Sequence, residues 1–406
     1  MHVNEIQKPT KALKPDIPDW LIKAPRYCPD PHKAALSVTE VIDAHADEAE
    51  RVQYLPETVV RAVAGAGLYG MFVPKEFGGA EPSPEQLLDA IAELSYADGS
   101  TGWAVMACVF NVSVMYARGS DVMLDAVFNS KAGFIGAGQI STLGRGDRAE
   151  GGLQVSGLFH FGSGSRESSW FMGAFVEHAD GKPVIGENGA PVVKLAFAPR
   201  EKINLKGNWD VLGLAATASY DFEFPEQFVS EHFVTTMAKR RGSALYSIGV
   251  SLGHAAWAVG VARRVLDELR NLAKRKQRFN RQTLIDQPIF QRDFALHRGM
   301  LAASEDNLRR TFMRHFDLAS KGKDGQDIRV DCRLAACWAV EVAVRIGQFA
   351  YLAAGSDALR NMDGKNRLQR CFRDIHAGSQ HRHTDHNTIG DCGTVLLGVA
   401  KPDLAL

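Results

Sequence analysis

Three textures follow one another along the chain, and their order restricts the fold more than any single residue does. From Ala34 to about Ser130, apolar residues recur mostly at spacings of three and four, beginning with Val38, Val41, Ile42, Ala46 and Ala49. That is the period of amphipathic helices. From about Phe134 to Phe233 glycine is frequent, apolar runs are short, and alternation appears, as in Leu153-Gln154-Val155-Ser156, Trp170 to Val176, Val192 to Phe197 and Tyr220 to Phe224. Asp180-Gly181 and Glu187-Asn188-Gly189 add turn signals, so this stretch reads as strands. From about Arg241 the helical period returns in long segments, 244–275, 287–320, 329–354 and 366 onward. Lengths near 30 residues suit antiparallel helices in a bundle. The expected fold is mainly α with a central β domain: an arm over 1–33, a helical domain over 34–133, a middle β domain over 134–235 and a C-terminal helical bundle over 236–406.

Local signals sharpen the first texture. Leu55-Pro56-Glu57 restarts a helix that runs to the stop Gly65-Ala66-Gly67. Ser83-Pro84-Glu85 caps a helix through Tyr96. Thr101 to Tyr116 is apolar on nearly all faces, which predicts a buried helix. The first 33 residues carry five prolines before Asp30 and no apolar run, so they read as an arm and not as a signal peptide.

Composition removes several classes of partner. Lys+Arg and Asp+Glu each number 47, a formal charge of zero that supports neither nucleic acid nor an anionic membrane. No stretch approaches the ~18 uninterrupted apolar residues of a membrane span. Six scattered cysteines without a C-x-x-C pair read as reduced, mostly buried thiols, and the expected location is cytoplasmic.

Several motifs, in order along residues 35 to 400, resemble the acyl-CoA dehydrogenase superfamily. Leu55-Pro56-Glu57, Ala66-Gly67-Leu68 and Val73-Pro74-Lys75-Glu76-Phe77-Gly78-Gly79 are similar to its first-domain signature, and Ala97-Asp98-Gly99-Ser100-Thr101-Gly102-Trp103 follows at the usual distance. Phe279 with Gln287 resembles the bundle motif that reaches flavin across a subunit interface in relatives. The resemblance implies a helical N-terminal domain, a β-barrel-like middle domain and a four-helix bundle. Dehydrogenases of this kind need a carboxylate base, and the two positions that supply it fall near Ser243 and at Arg382, neither of them acidic. Without a base, proton abstraction forfeits the ~10²–10⁴-fold that general bases contribute.

What stands there instead resembles the flavin-dependent, two-component monooxygenase branch of that superfamily. Arg373-Asp374 is followed by His381, seven residues after the Asp. Gly157-Leu158-Phe159-His160-Phe161-Gly162-Ser163-Gly164 is similar to the branch's G-x-W-x-F-x-S-G, with Phe159 for Trp. Asn208 to Ser219 resembles its W-x-x-x-G-x-x-x-T-x-S block, without the Arg often found near Ala215. By this resemblance reduced FAD or FMN reacts with O₂ to give a C4a-hydroperoxide that hydroxylates a small phenolic or indolic substrate. His381 would then donate to the peroxide, since an imidazole is charged or neutral near pH 7, and Ser163 would bond flavin N5. Trp209 would wall the isoalloxazine, and Thr217 and Ser219 would bond flavin or its phosphate. Lys276, Phe279 and Gln287 would contact flavin from a neighbouring subunit of a homotetramer. His376 is a further catalytic candidate, although on an ideal helix it stands about 140° around from His381. Arg373-Asp374 is expected to be a structural pair or cap.

Nothing here resembles an NAD(P)H site. Gly136-Ala137-Gly138 and Gly144-Arg145-Gly146 lack the strand–loop–helix setting of a dinucleotide fingerprint, so a separate reductase supplies the reduced flavin. His381-Arg382-His383-Thr384-Asp385-His386 has metal-ligand types, but Arg382 repels a cation and no metal is expected. Asn387 to Gly393 reads as a loop lining the substrate pocket. Two other readings stay open: an acyl-CoA dehydrogenase or flavin oxidase with a relocated base, and a non-catalytic scaffold.

Overall fold

The structure is a computed structural model that describes residues 16–129, 133–237, 241–242, 245–277, 279, 281–323, 325–360 and 366–399. Helices α1 (Asp19–Ile22), α2 (Pro31–Leu36), α3 (Thr39–Val52), α4 (Glu57–Gly65), α5 (Pro84–Ala97), α6 (Gly99–Arg118) and α7 (Asp121–Phe128) come first. Strands β1 (Gly136–Ala149), β2 (Gly152–Gly162), β3 (Trp170–Ala179), β4 (Lys182–Pro183), β5 (Val193–Pro199), β6 (Asn204–Leu205), β7 (Tyr220–Ser230) and β8 (Val234–Thr236) form the middle. Helices α8 (Leu245–Ala273), α9 (Pro288–Ser320), α10 (Gln326–Ala354), α11 (Leu368–Gly378) and α12 (His386–Leu396) complete it. The three textures of the sequence are thus three successive sets of elements.

Caps fix the two helices that matter most for the site. Ser83 opens α5 with a capping box: its hydroxyl accepts from Gln86 N (3.2 Å), and the Gln86 side chain accepts from Ser83 N (3.0 Å). Asp98 ends α5 and starts α6, where its carboxylate accepts from Thr101 N at 2.8 Å. Helix α6 is the one described helix long and apolar enough to cross a membrane, and 83% of that stretch is buried inside the protein. It fills the centre, between the sheet and α8.

The strands make one mixed sheet in the order β6-β7-β2-β1-β3-β5-β8, with β4 added beside β3 and only β1–β3 parallel. Alternate residues of β3 serve two cores: Trp170, Met172 and Ala174 pack with the helices, Phe171 and Phe175 with the sheet's own interior. Because both faces are buried, Trp170 to Val176 of β3 is a continuous apolar run and not the alternation expected of it. Phe171 on β3 and Phe222 on β7 lie 5.3 Å apart between ring centroids. Three strand spacings would separate them by about 14 Å in a flat sheet. The sheet therefore curls around a core of Phe159, Phe171, Phe175, Phe222 and Phe224, the barrel-like shape expected.

Two expectations are corrected. Residues 16–33 are no free arm: Leu21, Ala24 and Cys28 are buried in the helical core, and α1 and α2 lie within or just after this stretch. The segment Asn387–Gly393 is not a loop but part of α12. Asp385 caps it by accepting from Thr388 N (2.9 Å), and Cys392 is buried with Val330 of α10. Its two glycines and several polar residues hid the helix, because only one narrow stripe, Thr388 and Cys392, is buried. All six cysteines are buried free thiols.

Candidate active site

Four elements converge where α6, the β2–β3 connection, α8 and the turn after α11 meet. Trp103 of α6 is the hub. Its ring lies edge-on to His254 (5.0 Å) and Trp257 (4.9 Å) of α8 and to His381 (5.7 Å) beyond α11. Its Nε1–H donates to Ser163 Oγ at 3.2 Å. Ser163 continues inward: its Oγ meets Ser219 Oγ at 2.7 Å, Ser219 meets Thr217 Oγ1 at 2.7 Å, and Thr217 donates to Leu214 O at 2.8 Å. Thr217 and Ser219 are buried, so their hydroxyls are taken up inside the protein and do not face outward.

A second chain of contacts ties this loop to α11. Asp374, fully buried, accepts from Leu214 N at 2.6 Å, and Trp209 Nε1–H donates to Leu214 O at 3.1 Å. Gly213 allows the approach, since a Cβ there would collide with the backbone of Arg373. Burial, and then the carboxylates of Glu50 and Asp98, push the Asp374 carboxyl up to about 7. Arg373 does not pair with it; its guanidinium binds Glu50 (2.5 Å) and Leu212 O (2.7 Å). Arg373 and Asp374 therefore do not form the ion pair expected between them; each clamps the 208–219 loop separately, Arg373 at Leu212 O and Asp374 at Leu214 N. Replacing Asp374 with alanine leaves Leu214 N–H buried without an acceptor. The expected loss is about 1–3 kcal/mol of unfolding free energy, read by urea denaturation.

Three imidazoles stack at the site. His254 and His381 lie 4.0 Å apart and 23° from parallel, and His383 lies 5.4 Å from His381. Partners assign their tautomers. His254 Nδ1 faces Val250 O (2.7 Å), so it carries the proton. His383 Nδ1 faces Arg333 Nη1, which only donates, so the proton of His383 sits on Nε2. His381 Nδ1 lies 3.4 Å from His383 N–H, leaving its proton on Nε2 as well. His254 is pushed down to about 4, by burial first. His381 and His383 keep a partly exposed edge, yet desolvation, their neighbours' imidazoles and the Arg333 and Arg382 guanidinia hold both well below the ordinary range. The stack is neutral near pH 7. Stacked face to face, the rings do not converge on a metal, and no described group of three His, Cys, Asp or Glu does.

Other expected residues lie apart. His376 bonds Phe372 O and packs on the Phe372 ring (4.1 Å), which stacks on Tyr351 (4.5 Å), so it joins a different aromatic cluster. Lys276 and Gln287 line a cavity of about 390 Å³ with Arg281, Leu284, Leu352 and Ala353. There Lys276 pairs with Asp357. Phe279, in the same connection, is 93% exposed. Ser243, where a base was sought, is outside the described residues, whereas Arg382 donates to Ser141 Oγ at 2.7 Å.

The sequence reading missed four residues: Trp103, His254, Arg333 and Phe161. Phe161 is 65% exposed, carries a left-handed φ of 64° that a bulky residue rarely adopts, and sets its ring 6.2 Å from Trp209. Two of them had a signal: Trp103 ends the Asp98–Trp103 motif, and Phe161 is the Phe of the Gly157–Gly164 block. A His at 254 in an apolar helix looks like any satisfied core histidine until α11 is packed beside it.

Comparison with known proteins fits this architecture. Residues 33–125 match the family model for the acyl-CoA dehydrogenase N-terminal domain and residues 252–386 that for its C-terminal domain, together more than half of the chain. Indole-3-acetate monooxygenase of Pseudomonas putida is 26% identical over 364 residues, 87% of this chain and 90% of that protein. The oxygenase component of p-hydroxyphenylacetate 3-hydroxylase from Acinetobacter baumannii is 22% identical over 89% of this chain and 87% of its own length. Among solved structures, XiaF from Streptomyces sp. in complex with FADH2 and glycerol superposes with a TM-score of 0.83 at 20% identity, covering 93% of this chain and 97% of XiaF. At that identity the match speaks to the fold.

Proposed function

This chain belongs to the acyl-CoA dehydrogenase family, and on that premise we propose that it is the oxygenase component of a two-component, reduced-flavin-dependent monooxygenase acting on a small aromatic ring. One observation carries the reading. Imidazole, indole and hydroxyl groups gather around Trp103, and among the described residues no carboxylate is a hydrogen-bond or ring partner of Ser163, Trp103, His254 or His381. A site for removing the α-proton of an acyl thioester needs an ionised base there. A neutral imidazole with its proton on Nε2 is a donor instead.

The residues present fit a flavin. Ser163 Oγ keeps an acceptor position beside the Trp103 edge, and Phe161, propped against Trp209, offers an exposed aromatic face. When bound, reduced flavin supplies two electrons to O₂, so that one oxygen atom enters a ring C–H bond as hydroxyl and the other leaves as water. Around it, His381 holds a proton at Nε2, Ser163 holds the ring edge at Oγ, and Trp103 and Trp257 exclude water. His376 does none of this; its ring is committed to Phe372. FAD and FMN both remain candidates. Phe279, with Lys276 and Gln287, reaches a neighbouring copy in a homotetramer, a reading supported by the exposure of Phe279. The relatives named for indole-3-acetate and p-hydroxyphenylacetate favour an indolic or phenolic substrate, and the name "oxygenase component" favours a separate flavin reductase.

The test mixes purified protein with an NAD(P)H:flavin reductase, FMN or FAD, ¹⁸O₂ and a panel of phenols and indoles. Mass spectrometry should find one labelled oxygen in a ring product. No labelled product, together with anaerobic bleaching of oxidised flavin by an acyl-CoA, would instead identify a dehydrogenase with a relocated base.

A further inference from the structure

Ser163, Ser219 and Thr217 form a row of three hydroxyls, each with a single proton, and the row ends on a carbonyl. A carbonyl only accepts, so the proton of Thr217 lies toward Leu214 O. The 2.7 Å contact between Thr217 and Ser219 then needs the proton of Ser219, and the 2.7 Å contact between Ser219 and Ser163 needs that of Ser163. Any other direction leaves two bare oxygens in contact, among side chains that are 1% and 2% exposed at Thr217 and Ser219. The end of the row is itself anchored: the Leu214 peptide donates to Asp374, and its carbonyl also accepts from Trp209.

We propose that Ser219 and Thr217 are positioning residues that draw the only proton of Ser163 inward, so that Ser163 Oγ faces the site purely as a hydrogen-bond acceptor. One of its lone pairs takes Trp103 Nε1–H, and one is left. Such an oxygen accepts from an N–H but has nothing to donate to a bare nitrogen. Reduced isoalloxazine carries hydrogen on N5; oxidised isoalloxazine does not. The polarity of the row, set three residues from the ring, therefore discriminates between the two redox forms. This inference rests on the reading that Ser163 meets flavin N5.

Thr217→Val keeps the shape and removes the end of the row. Ser219 then has no inward acceptor, its proton turns to Ser163, and the proton of Ser163 is released outward. Equilibrium binding of oxidised FMN and FAD, and of the same flavins reduced anaerobically, gives the ratio of the two dissociation constants. In Thr217→Val the preference for the reduced form should shrink by about tenfold, the value of one hydrogen bond gained on one form and lost on the other. Thr217→Ser restores the hydroxyl that accepts from Ser219 and should restore the ratio. An unchanged ratio in Thr217→Val, with circular dichroism matching the wild type, overturns the relay if Ser163→Ala does alter the ratio. If Ser163→Ala changes neither dissociation constant, Ser163 does not meet N5 and the underlying reading fails with it.

Discussion

Replacing His381 with alanine should lower formation of the ring-hydroxylated product by at least about 100-fold, while reduced flavin continues to consume O₂ and the missing product is found as hydrogen peroxide. A positioned acid or base contributes about 10²–10⁴-fold, and among the described residues His381 is the one titratable side chain whose ring both touches the Trp103 hub and keeps a partly exposed edge. The stack adds a pH signature. His381, His383 and His254 are all held below the usual histidine range, by burial first and then by charges that include the Arg333 guanidinium, with Arg382 adding to the effect on His381 and His383. A group whose value is lowered changes charge only at more acidic pH, so the product-to-peroxide ratio of the wild type should be flat from pH 6 to 8. Arg333→Met removes the fixed charge that donates to His383 and should bring the acid limb of that ratio upward in pH. A wild-type ratio that titrates near pH 6.5 would mean that His381 meets solvent as an ordinary imidazole. His381→Ala protein that still couples O₂ use to product would remove it from the chemistry.

The sequence carried the order of elements and most of the site-bearing motifs, because hydrophobic period and capping are local properties. Ser83 with Gln86 and Asp98 with Thr101 each announce a helix within four residues. Ser163, Thr217, Ser219 and His381 were legible only by resemblance, and their individual roles less so. Thr217 and Ser219 read as groups for the cofactor, and only the packed loop turns them toward Leu214 O. His254 and Arg333 were invisible for a different reason. They sit on two long helices, α8 and α10, at positions with no local signature, and acquire meaning only where α11 ends. Helix α12 was lost because its buried stripe is two residues wide. Residues 16–33 were misread because proline content says how a segment bends, not what its Leu21 and Cys28 bury against.

The close approach that makes the site should also be its weakest mechanical point. Trp257 is 1% exposed, and its Nε1–H donates to Gly99 O at 2.9 Å, tying α8 to the start of α6. Against the far edge of its indole lies Gly378, the last residue of α11, where a Cβ would overlap Cη2, Cζ3 and Cζ2. Only glycine lets α11 end there, and the turn that follows carries His381 to Trp103. Trp257→Ala should therefore cost about 3–5 kcal/mol, the range for deleting a large buried aromatic, with the lost Gly99 contact placing it toward the top. Gly378→Ala should cost about 1–3 kcal/mol as overpacking and should raise peroxide release by displacing His381. The two sites touch, so their effects should not add. Trp257→Phe withdraws the atoms that the new Cβ would strike, and Gly378→Ala in that background should cost markedly less than in the wild type. Urea unfolding of the four proteins in the cycle gives the coupling directly. Additive losses would mean that the indole does not press on Gly378, and that the position of His381 is set by Thr384 and Arg333 on its other side.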